Sequence, residues 1–240
     1  TITNDVNHTI SGNGIINASL INLGTIEAHN DRGSMIFADR DKTNKNLITA
    51  TQGTLEISSK INNQGSIVAN GGGVLIKSTV NNDRGKLLAT NSGGLYIYST
   101  IKNNNGEILA QGGSVELRSG GKVIGGILDS KGKSAIVGVG GTVENITNKG
   151  QFNINPGTTT IAGKTLTNNG QIVISNGESS YSAYLQADSN VKLTGNGELQ
   201  LKSYASTSSA QLNAGDWGRI TNDSKHSISG YGQINAALVN

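Results

Sequence analysis

Sixteen acidic side chains and three histidines are scattered through 240 residues, and their spacing limits the chemistry they can support. Glycoside hydrolysis needs two carboxyl groups about 5 to 9.5 Å apart. Glu56 and Glu116 stand at the same place in a recurring L-x-I-x-S segment, with Leu75 and Tyr96 at that place in the segments between them. Stacked as neighbouring strands ~4.8 Å apart, the two acids are separated by three rungs, roughly 14 Å, which is too far. Asp39 and Asp41 are nearer, at ~6.8 Å for residues i and i+2 of one strand, but Arg40 and Lys42 adjoin them and the stretch reads as a solvated turn. D-R-D-K-T-N also opens like a calcium loop, yet its sixth position is Asn44 rather than Gly and its twelfth is Ala50 rather than Glu. His8, His29 and His226 read as surface turn residues rather than a catalytic group. No G-x-S-x-G, P-loop or zinc spacing occurs, so the sequence predicts no catalytic residue, no metal site and no cofactor.

Two further sets of residues suggest binding or architecture. Tyr96 and Tyr98 lie on one segment, with Lys77 in the preceding one and Glu116 and Arg118 in the following one. Two outward rings flanked by donors and an acceptor could stack on a sugar; the alternative is tyrosine packing across rungs that shields a sheet. The second set is Asn22, Asn63, Asp83, Asn104, Asn148 and Asn168, each two residues before a glycine (Gly24, Gly65, Gly85, Gly106, Gly150, Gly170). Short amide side chains accept tight turns and can hydrogen-bond from one rung to the next, so this column reads as a structural ladder rather than a row of ion or sugar ligands.

The elements that would position these residues follow from a short repeat. Between Ile61 and Ser119 the chain reads INNQGSIVANGGGVLIKST, VNNDRGKLLATNSGGLYIYST and IKNNNGEILAQGGSVELRS, a period of 19 to 21 residues. Alternation within each strand defines inward columns. One is Ile26, Ile48, Ile67, Leu87, Ile108 and Ile127, partnered by Ala28, Ala50, Ala69, Ala89 and Ala110; another is Leu55, Val74, Leu95 and Val115, followed by Ile57, Ile76, Ile97 and Leu117. A coil this short cannot bury its own apolar face and must stack on its like. No 3.6-residue period supports a leucine-rich repeat, and a propeller blade needs about twice the length. The predicted fold is all-β: a right-handed parallel β-helix, a solenoid with ~20-residue coils, about 12 of which would make a rod of roughly 55 Å. Gly at 34 residues against a single Pro fits turns built on left-handed backbone. Looser coils are expected at 120–156 and from Glu178 to Asp216, and an outward loop at 37–46.

Net charge is +3 with no clustered basic stripe, so no nucleic-acid partner is predicted. No stretch approaches the ~18 apolar residues of a membrane helix, and no signal peptide is visible. Cysteine is absent. A longer repeat is present: TITNDVNHTISGNGIINASLIN at 1–22 recurs as RITNDSKHSISGYGQINAALVN at 219–240, with fourteen of 22 positions identical. We expect a single β-helical domain over 1–240, of which 1–218 is one long module and 219–240 the start of the next, with neighbouring modules as the first partners.

Coils of the type NNQGSIVANGG and NNNGEILAQGG resemble the β-helical shafts of filamentous-haemagglutinin-like adhesins and related autotransporter or two-partner-secretion exoproteins. The resemblance covers most of residues 10–240 and rests on a degenerate motif. It implies a secreted or cell-surface protein of a Gram-negative bacterium, a rigid rod for adhesion, aggregation or biofilm, with host or matrix glycans or proteins as partners. The alternative is a β-helix that binds or cleaves polysaccharide.

Overall fold

A computed structural model describes all residues except 30–32, 178, 205–208 and 216–217. The described residues form short β-strands and no helix. Each coil contributes one strand to each of three parallel sheets, with twelve strands in face A, twelve in face B and eleven in face C. The first turn shows the order: Ile2–Asn4 on A, Thr9–Gly12 on B, Gly14–Ile16 on C, then Leu20–Asn22 on A again, paired in parallel with Ile2–Asn4. Every strand therefore pairs with the strands one coil before and after it, and the parallel β-solenoid read from the sequence is the fold.

The core is a stack of aliphatic columns. On face B, Ile26, Ile48, Ile67, Leu87 and Ile108 align in register and are buried, with Ala28, Ala50, Ala69, Ala89 and Ala110 beside them. On face C, Leu55, Val74, Leu95 and Val115 align, as do Ile57, Ile76, Ile97 and Leu117. At most a few per cent of each is exposed, and burying a side chain of this size contributes about 1.5–3 kcal/mol. Branched aliphatics suit these columns because their stiff χ1 fits the pleat. The two phenylalanines, Phe37 and Phe152, fill face C positions and are fully buried.

Register corrects two expectations. Ile108 aligns with Leu128, not with Ile127, which pairs instead with outward Glu107. Leu128 is buried and Ile127 only half so. The paired glycines hide the register here: Gly126 (φ 71°), not Gly125 (φ 73°), takes the place of Gly106, so a count of two on from the first glycine lands on Ile127 instead of Leu128. Residues 37–46 do not bulge outward. Phe37 ends a buried strand, Lys42–Asn44 is a strand of face A, and the turn between them is only 38–41, with Asp39 in the left-handed region at φ 57°. Lys42 stands in an inward column between Leu20 and Ile61 and is 1 % exposed.

The two segments expected to be loose keep their strands in the sheets. In 120–156 the extra residues are taken up at an exposed turn, 131–133, while Ile136 and Phe152 stay in register. Between Glu178 and Asp216, both outside the described residues, Ala183, Leu185, Val191, Leu193, Leu199, Ala210 and Leu212 continue the columns without interruption. The lengthening falls in the connections there too.

Candidate functional site

The amide column is the most continuous polar feature of the molecule. Six asparagines follow face A at its corner with face B. Asn4 donates to Asn22 Oδ1 (2.7 Å), Asn22 to Asn44 (2.8 Å), Asn44 to Asn63 (2.7 Å), Asn63 to Asn82 (2.6 Å) and Asn82 to Asn103 (2.7 Å). The second amide hydrogens reach corner carbonyls, among them Leu47 O from Asn22 and Ser66 O from Asn44. All six side chains are buried, and a buried amide is stable only when paired in this way.

Asn22 and Asn63 are where the sequence placed them, but Asp83 and Asn104 are not in the ladder; both are exposed, and Asn82 and Asn103 take their places. The corner explains the shift. Asn63-Gln64-Gly65 spans it with one residue, whereas Asn82-Asp83-Arg84-Gly85 and Asn103-Asn104-Asn105-Gly106 use two, the second left-handed (Arg84 φ 61°, Asn105 φ 56°). Glycine closes the corner because an added Cβ at Gly65 would collide with the Asn46 carbonyl. Asn44 was missed because Asn46 replaces the glycine. A count from the strand finds it, since Leu20, Lys42, Ile61, Val80 and Ile101 each stand two residues before a ladder amide.

The ladder then changes corner. Asn103 donates to the carbonyls of Gly106 and Gly125, and no amide follows at that corner in the next coil. Asn148 and Asn168 lie after face B strands, at the corner with face C, where Asn148 donates to Asn168 (2.8 Å). Asn148 Oδ1 begins this second ladder without a partner. At its far end Asn168 Nδ2 lies 3.1 Å from His226 Nε2, and His226 Nδ1 lies 2.6 Å from Asn222 Oδ1. Asn168 offers a hydrogen, so Nε2 accepts and Nδ1 carries the proton. His226 is therefore not at the surface as the sequence suggests but 4 % exposed, and burial holds its imidazole below its ordinary pKa, which matches that neutral tautomer. His8 contacts Asn4 Oδ1 in the same way (2.6 Å). His29 faces Thr51 Oγ1 at 3.0 Å.

The outer side of face C holds the tyrosine cluster. Glu56, Leu75, Tyr96 and Glu116 form one outward column in that order, so Glu56 and Glu116 are three rungs apart. Arg118 lies over the Tyr96 ring, 5.7 Å from its centroid, and pairs with Glu116. Lys77 pairs with Glu56 at 2.7 Å; with Ser58, it holds the Glu56 carboxyl below its usual range. Tyr96 is half-buried, while Tyr98 is 41 % exposed. Arg118 and Glu116 thus bind each other and Lys77 is paired with Glu56, while the Tyr98 ring and the Lys77 side chain stay open to solvent.

The remaining candidates do not converge. Asp41 reaches Lys60 at 4.0 Å on the surface, and the Lys42 ammonium turns away from both aspartates to the carbonyls of Ala38 (2.7 Å) and Arg40. Among the described residues no three His, Cys, Asp or Glu side chains gather as a metal site would require. Among the described concavities, the one at the A–B corner is a shallow polar depression of about 310 Å³ lined by Thr43, Lys45, Asn62, Gln64, Asn81 and Asp83. No described helix is long and apolar enough to cross a membrane. The fold therefore defines the class, a three-sided parallel β-solenoid. No family model, curated protein or solved structure matches the chain.

Proposed function

We propose that the chain is a repetitive structural module of a large secreted or cell-surface bacterial protein, a rod that carries adhesive surface away from the cell. The observation that supports this reading is one core running unbroken through all coils while its polar side chains are spent on ladders and surface ion pairs. Such a body resists bending because each coil is pinned to its neighbours on three faces, and its length grows with coil number. The resemblance of the N-x-G-x-I-x-A coils to filamentous-haemagglutinin-like shafts supports a Gram-negative exoprotein. Antibody raised against the purified chain should label intact, unpermeabilised cells of the producing bacterium; labelling seen only after lysis would count against a surface rod.

A glycan-binding reading has one observation in its favour, the exposed Tyr98 ring between Lys77 and Arg118. Incubation of the chain on glycan arrays tests it, since Tyr98→Ala should abolish any signal that arises from this face.

A further inference from the structure

The two copies of the long repeat fold alike but on different faces. Ile2–Asn4 is on face A, whereas its counterpart Arg219–Asn222 is on face B. Thr9–Gly12 on B corresponds to Ser227–Tyr231 on C, Gly14–Ile16 on C to Gln233–Asn235 on A, and Leu20–Asn22 on A to Ala237–Val239 on B. The local build is the same in both. Asn4 and Asn222 each accept from their own histidine at 2.6 Å and donate back to its carbonyl, at 3.4 and 2.8 Å. The His8 and His226 amides donate to Asp5 and Asp223 carbonyls, and each aspartate accepts from the next backbone N–H. One turn is thus reproduced bond for bond at two different corners of the triangle.

The count of strands explains this. The second copy begins thirty-one strands after the first, and at three strands per coil that is ten coils and one strand over. The ladder makes the same step. It occupies the A–B corner from Asn4 to Asn103, moves to the B–C corner at Asn148 and Asn168, and joins Asn222 through His226 at that corner. Ile220 and Thr221 align with Leu238 and Val239 as Ile2 and Thr3 align with Leu20 and Ile21. His226 can reach Asn168 because the intervening coil has only Gly195 and Gly197 around Asn196 at this position. The junction therefore has its own polar connection, and that connection fits the turned register.

We propose that successive 218-residue modules are rotated by one face, about a third of a turn, so that a patch carried once per module points in three directions around the rod in turn. This rests on the tandem-module reading above. At ~4.8 Å per coil the advance is about 50 Å per module, and the pattern returns to its starting face after three modules, roughly 150 Å. Tyr98 and its counterparts would then form a wide spiral rather than a single line, able to meet a surface whichever side of the rod faces it.

Disulfide trapping in the otherwise cysteine-free chain tests the rotation. Outward residues on paired strands have Cα atoms ~4.8 Å apart, within disulfide reach. Lys192 and Thr221 are such neighbours on face B. An unrotated second copy would instead take the face A place of Ala210–Ala214, with Thr221 where Asn213 stands, beside Gln186. Asn62 and Asn81, paired on face A far from the junction, serve as the control. Under mild oxidation, Lys192→Cys/Thr221→Cys and Asn62→Cys/Asn81→Cys should lock almost completely, and Gln186→Cys/Thr221→Cys should not. Locking of the 186/221 pair with failure of the 192/221 pair overturns the rotation and leaves the rod intact. Failure of the 62/81 control overturns the solenoid and the rotation with it.

Discussion

Asn63 illustrates what a single side chain does here. It accepts from Asn44 and donates to Asn82, and both neighbours are buried. Removing it orphans the Asn82 oxygen and one Asn44 hydrogen-bonding direction, and a buried polar group left unpaired costs about 1–3 kcal/mol. Asn63→Ala should therefore lower the urea midpoint clearly, while Asp83→Ala, at an exposed turn residue, should change stability by no more than about 0.5 kcal/mol. Equal effects of the two would restore Asp83 to the ladder. Lys42 makes a second case. Burial holds its ammonium below the ordinary 10.5, against the opposing pull of Asp39 and Asp41. Between its folded value and 10.5 the unfolded chain binds more protons, so stability rises with pH in that window. Lys42→Met removes the titration, and the wild type should gain on this variant as pH rises from 7 towards 10.5 in parallel denaturation series. A constant difference would mean that Lys42 titrates as a free side chain.

The elements were legible in the sequence to the extent that the period-two alternation was clean. The columns from Ile26 to Ile108 and from Leu55 to Leu117 could be written down because in each coil between 47 and 119 the second apolar pair follows the first by seven or eight residues. Legibility failed where glycine was used as the ruler. Asp83 and Asn104 lie one residue past the ladder because an extra left-handed residue, Arg84 or Asn105, separates them from their glycine, and Ile127 lies one residue short of its column because the second glycine of the Gly125–Gly126 pair closes that corner; a count from glycine sees neither. Lys42 was misread for a different reason: a charge on an inward column is tolerated here because the long side chain bends back to corner carbonyls, and composition alone reads such a stretch as a loop. The Tyr96 cluster was correctly gathered on one face, but the pairing of Arg118 with Glu116 and Lys77 with Glu56 depends on side-chain reach. The register makes a sharp prediction. Leu128→Asp buries an unpaired carboxylate and should cost several kcal/mol, enough to prevent cooperative folding of the coils around it, whereas Ile127→Asp should cost about 1 kcal/mol or less. Circular dichroism melts of the two variants decide it, and a larger loss at Ile127 would move the column back.

At the scale of the whole molecule, three sheets share one core, and among the described residues no coil interrupts the stack. Stability is then close to a sum of coil and neighbour contributions, with open edges at the ends. The open end is visible in the exposures. Leu20 is buried under the next coil, while its counterpart Leu238 is half-exposed, and Asn22 is buried where Asn240 is not. A following module would cover that edge as residues 25–50 cover the first copy. The most direct measurement is electron microscopy of a chain in which residues 1–218 are placed ahead of the full 240. A continuous solenoid predicts a single straight particle about 105 Å long, twice the length of the present chain at ~4.8 Å per coil, with no joint at the module boundary. Two bodies linked by a flexible hinge, or a particle no longer than about 55 Å, would contradict the account.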